Sequence, residues 1–299
     1  AQALHLGSKW TLYGALYTLA VLGGGGFVLR RYAHNRYQVV RTLCVMSVQV
    51  LFAFSLPLLL KFLHQPEYYF SYLWPLKLDY LNPHYLFHLP LPVVLWAMLA
   101  PLLLVPVLGL LFGKRWYCSW VCGCGGLANT FGEPWRHLSS KSTRAWKFER
   151  VSIHAVLALA VVLTALMFVS YSVGGAHPRL AAFTGQFQTW YAFVVTVVLS
   201  GVIGVGLYPL NGTRVWCRFF CPMAALLGIV QKAGRYRITV KDDMCISCGL
   251  CSKYCEMGID VRSYAQSNES FTRASCVGCG LCAEVCPRGV LRLENVTRQ

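Results

Sequence analysis

The chain contains five long apolar stretches that hold no Asp, Glu, Lys or Arg. They are Trp10–Leu29, Thr42–Leu60, Leu91–Phe112, Ser152–Ser172 and Trp190–Leu210. A helix needs about 20 mostly apolar residues to cross a bilayer. Soluble domains carry about 25% charged residues, whereas this chain has 13%. We therefore predict an α-helical integral membrane protein with five transmembrane helices rather than a large soluble core.

The basic residues predict how these helices are oriented. Eleven Lys and Arg residues lie in the loops after the first and third stretches, against three in the loops after the second and fourth. Basic loops stay in the cytoplasm, so we expect an inner-membrane protein with its N-terminus outside and its C-terminal tail in the cytoplasm. Most of the net charge of +16 then comes from Lys and Arg residues that keep loops and tail in the cytoplasm. We therefore expect no nucleic-acid partner.

The tail carries eight of the 14 cysteines, in two runs of the same spacing. The runs are Cys245-x-x-Cys248-x-x-Cys251-x-x-x-Cys255 and Cys276-x-x-Cys279-x-x-Cys282-x-x-x-Cys286-Pro287. Bacterial ferredoxins use this run twice, and the fourth cysteine of each run ligates the other cluster. We predict a C-terminal α+β ferredoxin-like domain of the bacterial 2[4Fe–4S] type. The first cluster is assigned to Cys245, Cys248, Cys251 and Cys286, and the second to Cys276, Cys279, Cys282 and Cys255.

Zinc and disulfide bonds are the alternatives for these eight cysteines. Structural zinc sites use two Cys-x-x-Cys pairs or mixtures of Cys and His, and disulfides are rare in a reducing cytoplasm. The order of the cysteines therefore favours iron–sulfur clusters. One position departs from the usual pattern, because Glu256 stands where a proline often follows the fourth cysteine. We expect this change to alter cluster potential without removing a ligand.

Four further cysteines lie in an internal repeat. Cys118-x-x-x-Cys122 follows the third apolar stretch and Cys217-x-x-x-Cys221 follows the fifth, at a constant offset of 99 that also matches Gly113 with Gly212 and Arg115 with Arg214. Each unit is interpreted as a spanning helix, a basic turn, a cysteine pair and a short apolar helix on the inner membrane surface. The repeat indicates two related halves that face one another.

The chemistry of these four cysteines is open at this stage. Cys118, Cys122, Cys217 and Cys221 could ligate a third metal centre, either another Fe–S cluster or another metal, or form two redox-active thiol pairs. They could also be packed side chains, since free cysteine behaves as a small hydrophobe, although the matched spacing argues against packing alone. Cys124 has no counterpart in the second unit and is a candidate spare ligand.

Three regions follow from these patterns. Residues 1–112 are expected to form an N-terminal region of three transmembrane helices, residues 113–236 the pseudo-repeat with both cysteine pairs, and residues 237–299 the cytoplasmic double-cubane domain. The first residue is Ala1 rather than Met. Either a leader has been removed or the sequence starts within a longer chain.

The cysteine runs and pairs together resemble the NapH/NosR family of membrane iron–sulfur proteins, from about Gly113 to Arg292. Cys217 to Pro222 matches the family's Cys-x-x-x-Cys-Pro motif fully, whereas the first motif ends in Cys122-Gly123 and adds Cys124. The extra N-terminal helix is similar to the longer, NosR-like layout. The resemblance implies electron transfer between the quinone pool and periplasmic reductases, maintenance of copper sites, or both.

We therefore expect an electron-transfer subunit of a quinol dehydrogenase complex, with membrane lipid, the quinone pool and other redox subunits as partners. Those subunits are ferredoxin-like proteins or periplasmic cytochromes and reductases. The alternative is a redox sensor or metal-centre assembly factor, such as a copper-ion reductase, that uses the Cys-x-x-x-Cys pairs. Because the helices hold no charge at mid-membrane, a transporter is disfavoured.

A quinone site would need an apolar slot and a proton acceptor. The candidate acceptors are His154 near the inner end of the fourth helix and His64, His84, His88 and His177 outside. Each of them is equally compatible with a structural or interfacial role. They form no opposed pair at one membrane depth, so a haem is not expected.

Overall fold

The computed structural model describes residues 9–65, 68–173, 177–241 and 243–296, with side chains from Thr11 onward. Five of the described helices are long and apolar enough to cross a membrane, and we number them as spans. The first to fifth spans are Lys9–Arg31, Arg36–Phe62, Leu91–Phe112, Thr143–Val173 and Pro178–Gly206. The protein is thus an α-helical membrane protein, as its sequence predicts.

Four of the five spans differ from the sequence-based bounds, and the largest differences are at the starts of the second, fourth and fifth. The second begins at Arg36 rather than Thr42. The fourth begins at Thr143 rather than Ser152, because its first turns carry charged residues that favour helix although they are not apolar. The fifth begins at Pro178 and ends at Gly206, and the expected last residues form a separate helical turn, Tyr208–Asn211. Hydropathy therefore locates the apolar middle of each helix and misses the polar turns that extend it.

Three spans contain π-helical segments, at Gln49–Ser55, Ala100–Leu104 and Ala192–Gly206. Such segments re-aim side chains and often occur at functional sites. In the second span Gln49 is fully buried, and its amide nitrogen donates to the carbonyl of Val121 at 2.7 Å. The first cysteine loop is therefore held against the spans by a polar side chain from within a transmembrane helix.

Residues 68–90, between the second and third spans, fold into a small cap. Its regular elements are a 3-10 turn at Leu78–Leu81 and a helical turn at Pro83–Leu86. Tyr68 and Tyr80 stack with their ring centroids 4.2 Å apart and are buried in the cap. The cap has an aromatic core of its own, and it also contacts the first cysteine loop, since the hydroxyl of Tyr117 donates to the carbonyl of Ser71 at 2.7 Å.

The two halves of the repeat leave the membrane in the same way. Gly113 ends the third span with φ 70° and ψ −178°, and Gly212 has φ 82° and ψ 173°. This region of backbone space is essentially restricted to glycine. The elements that follow are the turns Arg115–Cys118, Gly123–Asn129 and Glu133–Leu138 in the first half, and the π-turn Trp216–Phe220 and helix Pro222–Ala233 in the second.

The tail is a small α+β unit. Its strands β1 (Tyr236–Val240) and β2 (Leu291–Asn295) pair antiparallel, with Tyr236 opposite Asn295 and Val240 opposite Leu291. Its helices are Leu250–Lys253, Val261–Gln266 and Leu281–Glu284. Gly249 and Gly280 precede the first and third of these helices with φ 76° and 81°. The matched left-handed glycines give the two cysteine runs the same local shape.

Candidate iron–sulfur centres and the buried charges between them

The predicted ligands of the first cluster line one cavity in the tail. Cys245, Cys248, Cys251 and Cys286 surround a space of about 350 Å³. The backbone N–H of Val290 donates to the sulfur of Cys286 at 3.4 Å. Four cysteine thiols around one space are the ligand set of a [4Fe–4S] cluster, so the residues fit that group. Cys248 is exposed, which puts this cavity at the surface of the protein.

The predicted ligands of the second cluster line another cavity, also of about 350 Å³. They are Cys255, Cys276, Cys279 and Cys282. The backbone N–H of Ile259 donates to the sulfur of Cys255 at 3.4 Å, which repeats the contact of Val290 with Cys286. The hydroxyl of Tyr236 adds a contact of 3.8 Å to the sulfur of Cys276. The donor set again fits a cubane.

Burial sets the ionisation of the thiols around the second cavity. It raises the pKa of Cys255, Cys276 and Cys279 to about 11 in each case. Without metal these thiols are protonated at neutral pH, so binding of a cluster must release protons. Anionic thiolates at a buried cavity also require positive charge nearby, and buried Arg and Lys side chains around the second cavity supply it.

The loop of the second cysteine run is fastened to the membrane part through its carbonyl oxygens. Two side chains donate to the carbonyls of residues 273–276: Gln231 to Arg273 (2.8 Å) and to Cys276 (3.1 Å), and Lys114 to Ala274 (3.2 Å). Ser119 donates to Val277 (2.7 Å) and Tyr37 to Gly278 (2.8 Å). Gln38 (2.9 Å) and Arg41 (2.7 Å) both donate to the carbonyl of Cys279. The second cavity therefore lies against the membrane part, and the exposed Cys248 marks the first cavity as the outer one.

The structure brings the four cysteines of the repeat together in one buried cluster. Cys118, Cys122, Cys217 and Cys221 are all buried and belong to the same core. Burial raises the pKa of Cys118 to about 12, although the charge of Lys114 acts in the opposite direction. The N–H of Ala224 donates to the sulfur of Cys221 at 3.4 Å. Two halves that are far apart in sequence thus contribute one pair of thiols each.

Cys124 lies beside this cluster. The interaction between the two thiols lowers the pKa of Cys122 and raises that of Cys124. The intervening Gly123 accepts a hydrogen bond at 2.8 Å from the hydroxyl of Tyr17 in the first span. A methyl group at Gly123 would approach the hydroxyl of Tyr72 to 2.4 Å. The extra cysteine of the first motif is therefore part of the buried group.

The predicted proton acceptors do not come together. His64, His84, His88 and His177 are exposed near the outer ends of the spans, whereas His154 is exposed near the inner end of the fourth. Within the part of the chain that the structure describes, no three His, Cys, Asp or Glu side chains converge at the spacing of a single metal ion. The cysteines surround open spaces instead.

A network of buried ions fills the space between the membrane-face cysteines and the second cavity. Arg214 lies 3.0 Å from Glu256, and Arg136 lies 3.1 Å from Glu256 and 2.6 Å from Glu133. All four side chains are at most 4% exposed. Burial alone would raise the pKa of Glu256, but Arg136 and Arg214 hold it at about 2. The carboxylate is therefore ionised and stays paired.

The buried cations outnumber the buried carboxylates in this region. Arg41, Lys114, Arg136 and Arg214 face the region of Glu133 and Glu256, and none of the four is more than 1% exposed. A buried excess of positive charge is costly unless anions balance it. Cysteine-ligated iron–sulfur clusters are anionic, so this charge balance fits clusters on both sides of the network.

Comparison with known proteins gives the same assignment. Residues 238–293 match the family described as a 4Fe-4S dicluster domain. Residues 94–142 and 189–241 match the family described as a 4Fe-4S binding domain. The second match falls on both halves of the repeat, and together the two families cover both sets of cysteines.

Curated relatives resemble the same part of the chain. YccM of Escherichia coli, named provisionally as an electron transport protein, is 27% identical over 186 residues, which is 59% of this chain and 50% of that protein. The regulatory protein NosR of Pseudomonas aeruginosa is 27% identical over 177 residues, 56% of this chain and 23% of NosR. The methylamine utilization ferredoxin-type protein MauN of Paracoccus denitrificans is 28% identical over 177 residues, 54% of this chain and 56% of MauN.

The chain is therefore related to NosR and MauN, and it matches two 4Fe–4S families. By these findings the chain is an iron–sulfur electron-transfer protein related to them. It spans half of YccM and less than a quarter of NosR. No solved structure matches it.

The ion network could not be found from the sequence. Arg214 was noted only because it matches Arg115 in the repeat, and Arg136 only as one basic residue of a loop. The usable signal was Glu256, since a carboxylate in place of proline beside a buried ligand needs a cationic partner. No comparable signal in the sequence points to Tyr17 or Gln49, which reach the first cysteine loop from within transmembrane helices.

Proposed function

We propose that this protein exchanges electrons between the quinone pool and a partner redox protein through two [4Fe–4S] clusters. Cys245, Cys248, Cys251 and Cys286 hold the first cluster, and Cys276, Cys279, Cys282 and Cys255 the second. The observation that carries the proposal is the asymmetry of the two cavities, because one is fastened against the membrane part and the other opens at Cys248. Electrons then pass between membrane and solution through the second cluster and the first.

The cysteines of the repeat supply a third centre on this route. Cys118, Cys122, Cys217 and Cys221 are the proposed ligands, and the buried cations beside them support an anionic group there. The third centre is an iron–sulfur cluster rather than a single ion, since four thiols supply one ligand for each corner of a cubane, and no three of the described His, Cys, Asp or Glu side chains converge on a single metal ion. The third centre would lie between the membrane spans and the second cluster and would pass electrons from one to the other.

We also propose the topology that the basic loops favour. The protein lies in the inner membrane with its N-terminus outside, and the tail from residue 237 faces the cytoplasm. Arg41, Lys114 and Arg136, which all lie in loops or helix ends on the tail side, support this orientation by the distribution of positive charge. The partner at Cys248 is then a cytoplasmic redox protein.

Reduction of the purified protein by quinol tests this function. A short-chain quinol should bleach the visible absorption of the clusters and produce the electron paramagnetic resonance signal of reduced cubanes. Reduced ferredoxin or flavodoxin is the comparison donor. Rapid reduction by the protein donor together with no reduction by quinol would contradict exchange with the quinone pool.

A second function is favoured by one observation. Cys122 and Cys124 are two neighbouring, interacting thiols in the first half, and Met223 stands in place of the second thiol in the other half. A pair of this kind suits a metal-centre assembly factor that reduces copper ions with electrons from the tail. Copper(II) would then be reduced stoichiometrically by the pre-reduced protein, and Cys124→Ser would abolish that reduction while the iron content stays unchanged.

A further inference from the structure

A large cavity lies between the fourth span, the helix Pro222–Ala233 and the tail. Its volume is about 450 Å³, and its walls include Trp146, His154, Ala225 and Arg273. A second cavity of about 340 Å³ shares Trp146, Glu149, Arg273 and Ser275 with it. The two spaces adjoin between the tail and the end of the fourth span, and we call them together the recess.

His154 presents a proton acceptor to this recess. Its Nδ1 lies 2.8 Å from the carbonyl oxygen of Arg150. Because a carbonyl oxygen only accepts, Nδ1 carries the hydrogen in the neutral ring, and Nε2 keeps a lone pair. His154 is exposed and lines the cavity. A hydroxyl group that enters the cavity can donate to Nε2.

The recess combines an aromatic wall with basic side chains and a flat apolar floor. The guanidinium groups of Arg150 and Arg273 lie 5.2 Å and 5.3 Å from the centre of the Trp146 ring. Ala225 and Gly228 form part of the floor. A cavity lined by an indole and by small residues has room for a planar ring, and the two cations favour oxygen atoms that become negative as a proton leaves.

The recess also adjoins both groups of cysteines. Ser275 lines it and directly precedes Cys276, a proposed ligand of the second cluster. Met257 lines the neighbouring space, two residues after Cys255. On the membrane side Ala224 belongs to the helix that begins directly after Cys221. A bound ring here lies beside the backbone that carries the ligands.

We propose that this recess is the quinol site, with His154 as the acceptor of the first proton. The inference rests on the proposed function and adds the place and the residues. Quinol gives up two protons and two electrons and leaves as quinone. One proton goes to Nε2 of His154 and the other to water, while two oxidised [4Fe–4S] clusters each take one electron. Charges and atoms balance without a further reactant.

A phospholipid headgroup is the competing occupant, because the recess contains Arg150, Arg273 and Lys232. Two features favour quinol. A phosphate has no need of a histidine whose free nitrogen is a proton acceptor, and it gains nothing from a place beside the ligands of a cluster. The carboxylate of Glu149, 2.7 Å from Nε of Arg218, is also unfavourable for an anionic headgroup at this wall.

Photolabelling of the intact wild-type protein with an azidoquinone tests the location without any variant. We expect adducts on peptides that contain Trp146 to His154, and on Pro222–Ala233, that excess unlabelled quinone prevents. Adducts confined to the outer cavity around Thr11, Phe54 and Lys61 would overturn the location. So would labelling that phosphatidylglycerol suppresses and unlabelled quinone does not.

His154→Gln removes the acceptor, and His137→Gln, at an exposed histidine that does not line the recess, is the matched control. We expect at least a tenfold slower reduction of the clusters by quinol in His154→Gln, with unchanged iron content and unchanged reduction by dithionite. The control should behave as the wild type, and equal rates in both variants would overturn the role of His154. Labelling of the recess in a wild-type protein that quinol never reduces would support the site and overturn the proposed function.

Discussion

Arg214 and Glu256 form a fully buried ion pair, with 3.0 Å between Nη2 and Oε1. The same guanidinium approaches the sulfur of Cys217 at 3.7 Å through Nη1. Glu256 directly follows Cys255 in the chain. One pair of charges thus connects a cysteine of the membrane-face group with a proposed ligand of the second cluster. A change of charge at Cys217 therefore acts on Glu256 through Arg214, which contacts both of them.

Glu256→Gln should make the second cluster easier to reduce. The change removes a negative charge next to Cys255, leaves Arg214 without its carboxylate partner and leaves Arg136 with Glu133 alone, so the reduced, more negative cluster is favoured. Removal of one partner from a buried ion pair also costs about 3–5 kcal/mol of stability. A redox titration followed by electron paramagnetic resonance should show a more positive midpoint potential for one of the clusters.

Glu269→Gln is the control for this prediction, because Glu269 is an exposed glutamate of the same domain. It should leave both potentials and the thermal stability unchanged. An unchanged pair of potentials in a folded Glu256→Gln protein would contradict the electrostatic link. For each variant, the cluster potentials and the thermal stability are measured on the same preparation.

Cys248→Ser and Cys282→Ser should separate the two clusters. Each substitution removes one ligand, so each protein should lose about four of about eight tail irons. Cys282 is buried against the membrane part and Cys248 is exposed, so only Cys282→Ser should also make the tail more sensitive to protease. Equal protease sensitivity of the two variants would argue against the inner and outer assignment of the cavities.

Serine substitutions at Cys118, Cys122, Cys217 and Cys221 test the third centre. If these residues ligate an iron–sulfur cluster, each variant should contain fewer iron and sulfide ions per chain than the wild type. Cys44→Ser is the matched control, because Cys44 lies in the second span away from the motifs. A wild-type content of about eight irons that none of the four substitutions changes would leave only the two cubanes of the tail.

Gly113→Ala should destabilise the junction between the third span and the tail. Alanine at φ 70° costs about 1–3 kcal/mol from the backbone alone, and its methyl group would lie 2.6 Å from Cβ of Tyr236. Thermal unfolding in detergent should therefore begin at a lower temperature. Gly23→Ala, at a helical position with nothing within 4 Å, should leave that temperature unchanged or raise it.

The tail could be predicted from the sequence in detail because its constraints are local. The cysteine spacing fixes which thiols share a cluster, and Gly249 and Gly280 have the backbone conformation that close loops require. The spans could be predicted in number for a similar reason, since an apolar helix is recognised from its own composition. The polar extensions, such as Thr143 to Val151, could not, because hydropathy alone does not describe them.

The site between the domains could not be predicted, since its residues are far apart in the chain. Arg41 reaches the carbonyl of Cys279 across 238 positions, and Gln49 reaches Val121 across 72. Either residue, viewed alone, is only a polar side chain in or near a transmembrane helix. The repeat showed that Arg115 and Arg214 are equivalent, but only the folded chain shows that Arg214 is the one that meets Glu256.

The fastening of the second cysteine run to the membrane part constrains the order of cofactor insertion. Cys276 and Cys282 are buried, and the carbonyl of Cys279 between them is held by Gln38 and Arg41. A preformed cluster can reach these thiols only before the tail closes on the spans. The proposed inner cluster would therefore be loaded before the tail docks, whereas the proposed outer site stays accessible at the exposed Cys248 in the folded protein.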